Sequence, residues 1–314
     1  MMGKLVTVFG GSGFLGRYVS QAVLLAGGRL RVAQRDPRQA WFLKSLGQLG
    51  GTQSVGADLR RPDTLARAVE GADAVINLVG ILKGDFQGVH VDGARALAKA
   101  CAAAGVDALV HVSAIGADPA SPSAYGRSKG EGERAVLDAF PRATILRPSI
   151  VFGREDQFVN RFAGLISRLP VVPIMSPATR FQPVFVGDVA DAVAAVLKDA
   201  AAHAGRTYEL GGPDVMTMAE LNRFIAQETG RDPTFVEVPD AVGSMIAKLG
   251  FLPGAPITAD QWAMLQRDNV VEPGAPGLRQ LGITPTPLAA IAPSYLVQYR
   301  RQGRFGRRGS GWAA

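Results

Sequence analysis

Tyr125 and Lys129 stand four apart in the stretch SAYGRSKGEGE, so on a helix they project from one face. A phenol with a pKa of about 10 is a poor acid at neutral pH, and a nearby ammonium favours its ionised form and lowers that value. Such a pair can pass a proton to, or take one from, the oxygen of a bound substrate. Ser113, a little upstream in HVSAIG, would hold the same oxygen by a hydrogen bond. Lys129 would also anchor the hydroxyls of a nucleotide sugar. This chemistry asks for no metal, and three histidines (His90, His111, His203) with one cysteine leave little material for a zinc site. His111 lies within an apolar strand and reads as structural.

Positioning these groups requires strands that end at a common edge. The chain supplies them at KLVTVF, RLRVAQR, TQSVGAD, ADAVINLVG and VDALVHVSAIG, alternating with helical stretches such as PDTLARAVEG and GARALAKACAAAG. That rhythm predicts an α/β fold, a Rossmann-type doubly wound parallel sheet, with Ser113, Tyr125 and Lys129 at its carboxyl edge. Further strands are expected at RATILRPSIVFG, QPVFVG and RTYELGG, with helices at FVNRFAGLISRLP, VADAVAAVLKDAA and TMAELNRFIAQETG. From about Pro170 prolines become frequent and the rhythm loosens. The expected division is residues 1–170 as the dinucleotide-binding domain, 171–299 as a smaller C-terminal lobe interleaved with late Rossmann elements, and 300–314 as a basic tail.

The first strand runs into VTVFGGSGFLGRYV, a strand, a tight turn and a helix. Gly10 would allow the bend, Gly13 would let backbone approach a ligand, and Gly16 would let helix and strand pack closely. The helix N-terminus then aims free N–H groups at whatever sits above, a place suited to a pyrophosphate. The spacing is Gly-x-x-Gly-x-x-Gly, and an ordinary strand-to-helix turn would also account for it. At the end of the second strand, VAQRDP presents Gln34, Arg35 and Asp36. An arginine there suits a ribose 2′-phosphate and favours NADPH. Alternatively Asp36 takes the ribose hydroxyls of NADH, or both residues simply face water. By position, Asp58 and Leu59 would lie beside the adenine, and Gly80 in NLVG would let backbone approach the cofactor.

Composition narrows the class. A chain of 314 residues with 47% hydrophobic content can fill a sizeable core. The lone cysteine, Cys101, excludes an intramolecular disulfide; it reads as helix packing, with a reactive thiol the alternative. The uncharged stretch from Gln280 to Tyr299 carries Pro285, Pro287 and Pro293 and is not expected to cross a membrane. No signal or transit segment is expected before the first strand. The net charge of +7 is concentrated at the end: after Glu272 there is no acidic residue, while Arg279, Arg300, Arg301, Arg304, Arg307 and Arg308 follow. A basic tail on a near-neutral body suggests docking to an acidic protein or anionic lipid, or a solvated tail, rather than nucleic-acid binding.

With Gly10, Gly13, Gly16, Asp58, Ser113, Tyr125 and Lys129 in order, the chain resembles the extended and atypical short-chain dehydrogenase/reductases. SAYGRSKGEGERAVLDAFPRATILRPSIVFGREDQFVNRFA, FQPVFVGDVADAV and YELGGP are similar to the NADPH-binding accessory subunits of respiratory complex I and their bacterial counterparts. The segment from Phe152 to Phe158 is the most family-specific, and the likeness spans roughly residues 1–300. The resemblance implies a subunit that keeps a tightly held, structural NADPH and supports assembly among the other subunits of complex I. It places the chain on the peripheral arm near the membrane arm: the cytoplasmic side of a bacterial inner membrane, or the matrix side if mitochondrial. The family's cofactor residues correspond to Gly10, Gly13, Phe14, Leu15, Gly16, Arg35, Asp58, Leu59, Tyr125, Lys129 and Pro148. A second class stays open, a free NADPH-dependent reductase or epimerase acting on a small carbonyl compound or nucleotide sugar through Ser113, Tyr125 and Lys129.

Overall fold

The computed structural model describes residues 1–47, 50–250 and 257–305. The chain divides into two compact units, the first formed by Met1–Pro148, Val186–Leu210 and Glu272–Thr284, the second by Ser149–Phe185, Gly211–Val271 and Pro285–Ala314.

The first unit is built on β1 (Leu5–Phe9), β2 (Arg29–Gln34), β3 (Thr52–Gly56), β4 (Ala74–Asn77), β5 (Ala108–Val112) and β6 (Thr144–Pro148), joined by a seventh strand, Thr207–Leu210. Every pairing among these strands is parallel. The order runs from the seventh strand through β6, β5, β4, β1 and β2 to β3. A parallel sheet covered on both faces needs strands that are apolar throughout, and all five residues of β1 and of β5 are buried. The doubly wound sheet expected from the sequence is therefore present.

Between β1 and β4, whose last paired residues are Phe9 and Asn77, the strand order reverses, and in open sheets of this kind ligands bind beyond the carboxyl ends at such a point. Four helices alternate with these strands: α1 (Phe14–Leu25), α2 (Pro62–Val69), α3 (Gly93–Ala103) and α4 (Ala124–Ala139). α1 buries Gly16, Val19, Ser20 and Val23, one helical stripe, and the helix Val186–Lys198 packs against it. Burying Val19 and Val23 contributes about 1.5–3 kcal/mol each. On α3, Cys101 is fully buried and burial pushes its thiol up to about 12, so it packs as an inert apolar group.

The second unit packs helices Val159–Arg168, Met218–Thr229 and Leu288–Leu296 around Phe152, Ile166, Val172, Leu221, Ile225 and Leu296. Strands Val171–Met175 and Thr234–Val238 pair in parallel. Pro173 inside the first of them breaks the strand signal, and neither was foreseen. In the family-specific segment, buried Asp156 accepts the N–H groups of Phe158 (2.9 Å) and Val159 (2.6 Å) and the hydroxyl of Tyr295 (3.2 Å). It thereby caps one helix and ties it to another.

One expectation is corrected here. Arg300, read as the start of a docking tail, belongs to the second unit: its side chain is 11% exposed and pairs with Glu228, and its Nε donates to the Glu228 carbonyl at 2.8 Å. Arg301 is exposed. Arg307, Arg308 and the side chain of Arg304 lie outside what is described.

Candidate functional site

All the candidate residues fall within the first unit, at or just beyond the carboxyl ends of its strands. Gly10 follows β1 with a φ of +79°, a conformation that favours glycine, and its carbonyl accepts the N–H of Gly13 at 3.1 Å. A Cβ on Gly16 would stand 2.1 Å from that same carbonyl oxygen, so the close helix–strand approach requires the absence of a side chain. Gly13 is the N-cap of α1 and offers no side chain to the first turn's N–H groups. A Cβ there would meet only the Gly10 oxygen, at 3.3 Å. Phe14 and Leu15, half-buried, open the helix.

Beyond β2, Arg35 is exposed and makes no ion pair among the described residues. Asp36 is already engaged. It caps the 3₁₀ segment Pro37–Leu46 by accepting the N–H of Arg38 at 3.1 Å, and it accepts Arg38 Nε at 3.0 Å. Those hydrogen bonds hold its carboxyl below the usual range. Beyond β3, the Asp58 carboxylate pairs with Arg60 at 2.9 Å, which lowers its pKa, with a smaller contribution from the charge of Arg35. Leu59 is buried and packs so closely on the start of α3 that a Cβ on Gly93 would stand 2.7 Å from its own. Past β4, a Cβ on Gly80 would touch only His90 Nε2, at 3.9 Å, so packing within the protein does not demand glycine there.

The helix α4 begins at the cap Ser123, whose hydroxyl accepts the N–H of Gly126 at 2.9 Å, and it places Tyr125 and Lys129 one turn apart. Lys129 is 4% exposed, and its Nζ donates to the Val112 carbonyl, beside Ser113, at 2.9 Å. Burial lowers its pKa to about 8, opposed by the charge of Glu133. The Ser113 N–H donates to Leu146 at 2.7 Å, and Ile115 N–H to Pro148, the last residue of β6, at 3.0 Å. Among the described residues, the buried Ser113 hydroxyl has no hydrogen-bond partner. An unpaired buried hydroxyl costs about 1–3 kcal/mol.

The lowered phenol expected for Tyr125 is not found. Desolvation dominates and pushes it up to about 12; a neighbour's charge four residues away is legible in a sequence, whereas the depth of burial is not.

Sequence reasoning passed over His90 and Ser128. His90 Nε2 accepts the N–H of Ile81 at 3.0 Å and its Nδ1 meets Ser128 Oγ at 2.9 Å. The one available signal was the four-residue spacing of Phe86 and His90, whose rings stack with centroids 5.4 Å apart. His111 is buried with its Nδ1 against Asn77 Nδ2 at 3.1 Å, in line with a structural role.

Residues 4–245 match the family model described as RmlD substrate binding domain. The chain is 37% identical over 307 residues, 95% of its length and 81% of the relative's, to NADH dehydrogenase (ubiquinone) 1 alpha subcomplex subunit 9, mitochondrial, of Mus musculus. It is 34% identical over 248 residues, 75% of its length and 74% of the relative's, to a ceramide reductase of Caulobacter vibrioides. Among solved structures, an NADPH-dependent quinone oxidoreductase complexed with NADPH, from Escherichia coli, superposes with a TM-score of 0.76 at 22% identity, over 93% of this chain and 99% of that one. At that identity the likeness speaks for the fold.

Proposed function

Because the chain belongs to the RmlD substrate binding domain family and to the family of the NADH dehydrogenase alpha subcomplex subunit 9 proteins, we propose that it is an accessory subunit of respiratory complex I. In this reading it retains a nicotinamide dinucleotide as a structural element and supports the assembly of its neighbours. The observation that carries the nucleotide reading is the buried Ser113 hydroxyl, unpartnered among the described residues, one residue from the carbonyl that holds the Lys129 ammonium. Two polar groups kept out of water at a cost to the fold are what a ligand with sugar hydroxyls and a carboxamide would satisfy.

Gly10, Gly13 and Gly16, with Phe14 and Leu15, would present the α1 amides to the diphosphate. Asp58 and Leu59 would border the adenine, Gly80 and Pro148 the nicotinamide, and Ser113, Tyr125 and Lys129 the nicotinamide ribose. The phosphorylated form, NADPH, is favoured over NADH because Arg35 is exposed without an ion pair among the described residues while Asp36 is spent on Arg38. Tyr125, with its phenol held near 12, would remain protonated at neutral pH and serve as a hydrogen-bond donor. No helix among the described residues is long and apolar enough to cross a membrane. In this reading the chain is peripheral, on the cytoplasmic side of a bacterial inner membrane or the matrix side of a mitochondrial one.

A second reading, a free reductase of a small carbonyl compound or nucleotide sugar, is favoured by the complete Ser113, Tyr125 and Lys129 set and by the likeness to a ceramide reductase. The bound cofactor would then supply hydride-transfer chemistry, Ser113 would hold the carbonyl oxygen, and Tyr125 would hand it a proton. Native mass spectrometry of gentle detergent extracts separates the two. The subunit reading expects the chain to travel with the quinone-reducing complex; a small free species alone would contradict it.

A further inference from the structure

His90 is 3% exposed and stands in a short π-helical stretch, Gln87–Asp92, that leads into α3. Its proton can be placed by its neighbours. The Ile81 N–H can only donate, so Nε2 is the acceptor and Nδ1 carries the hydrogen. Nδ1 then donates to Ser128 Oγ at 2.9 Å, and Ser128 donates in turn to the Tyr125 carbonyl at 2.9 Å.

The ring also meets two aromatic neighbours. It lies flat on Phe86 and edge-on to Tyr125, with centroids 5.6 Å apart at 86°, while Phe86 and Tyr125 meet edge to face at 6.1 Å. A Cβ on Gly132 would stand 2.2 Å from the His90 carbonyl oxygen, so α4 is pressed against this residue for two turns. One imidazole therefore joins the turn leaving β4 to the helix that carries Tyr125 and Lys129. Burial and the charge of Lys129 lower its pKa to about 4, which keeps it a neutral strut across the physiological range rather than a switch.

We infer that His90 is a positioning residue for the nicotinamide end of the nucleotide site: it fixes the spacing between the Gly80–Ile81 backbone and Tyr125 so that both meet one ligand. The inference rests on the nucleotide reading above. A Cβ on Gly80 would meet only His90 Nε2 within 4 Å, so the imidazole is what stands against this turn, and its hydrogen bond to the Ile81 N–H ties the turn to the ring that packs on Tyr125.

The test compares two probes on the full-length chain freed of nucleotide. NADPH spans the whole site; adenosine 2′,5′-bisphosphate fills only the glycine end. His90→Phe keeps a ring against Phe86 and Tyr125 and removes both polar links. It should weaken NADPH by about tenfold while leaving the bisphosphate within about twofold. His90→Gln, whose amide oxygen can still accept the Ile81 N–H, should recover most of that loss. Ser128→Ala, which cuts the opposite link and keeps the imidazole, should give the same split at about two- to fivefold, and it decides the matter if His90→Phe does not fold. Parallel losses for both probes, or unchanged NADPH affinity, would overturn the inference while the nucleotide reading stands. A wild-type chain that binds neither probe would sink both.

Discussion

At the glycine end of the site the fold explains its own unusual residues. Gly10 needs its positive φ, and Gly16 leaves no room for a Cβ beside the Gly10 carbonyl, whether or not anything binds above them. At the other end the fold buries two polar groups at a cost to itself. Ser113 hides a hydroxyl with no partner among the described residues and Lys129 is an ammonium taken out of water, held by one hydrogen bond to the Val112 carbonyl, whereas the Tyr125 phenol, neutral at pH 7 whether folded or unfolded, adds no such cost. Stability is being given up there, which is the common mark of a site shaped for a ligand. Glycine spacing, the more familiar signature, is thus the weaker evidence of the two, and the buried hydroxyl and ammonium are the stronger.

Substitutions at the two ends should move stability in opposite directions. The largest effect is expected from Gly16→Ala, whose methyl meets backbone: nucleotide-free protein should lose at least about 3 kcal/mol or fail to fold. An unchanged thermal midpoint would break the contrast from the glycine side.

Lys129→Met should act the other way, stabilising the nucleotide-free chain at pH 7 by about 2–3 kcal/mol while weakening NADPH binding. The sign follows from the folded pKa of about 8, below the ordinary 10.5. The cost of the buried ammonium is complete below pH 8 and fades as pH rises to 10.5, so the gap between variant and wild type in urea unfolding should narrow over that interval. A gap that widens, or a variant less stable at pH 7, would contradict it.

Ser113→Ala should raise nucleotide-free stability by about 1 kcal/mol and lower NADPH affinity several-fold, read by unfolding and by titration of the same preparation. Arg35→Ala should leave stability unchanged within about 0.5 kcal/mol, because the side chain is exposed. It should reduce NADPH affinity more than NADH affinity, and equal losses would remove its phosphate role.

Much of the first unit could be read before any coordinates. LVTVF and ALVHV are apolar from end to end because both faces of their strands are covered, and the four-residue spacing of Tyr125 and Lys129 survives as one turn of α4. What escaped depends on partners remote in sequence. His90 meets Ser128 across 38 residues, and the Glu228 that anchors Arg300 lies 72 residues earlier. The direction of the Tyr125 shift is hidden for a related reason: spacing reveals a neighbouring charge, but only the folded chain sets how far the phenol is removed from water. In the second unit Pro173 interrupts one of two paired strands, and Pro170 and Pro233 stand just before them; their register only the fold supplies.

The central claim, that Ser113, Tyr125 and Lys129 are kept for a dinucleotide, is tested most directly by deproteinising the chain after gentle purification and identifying by mass what it releases. The account expects NADPH at close to one molecule per chain. A chain that releases no dinucleotide, and takes up none when offered NADPH, would contradict it.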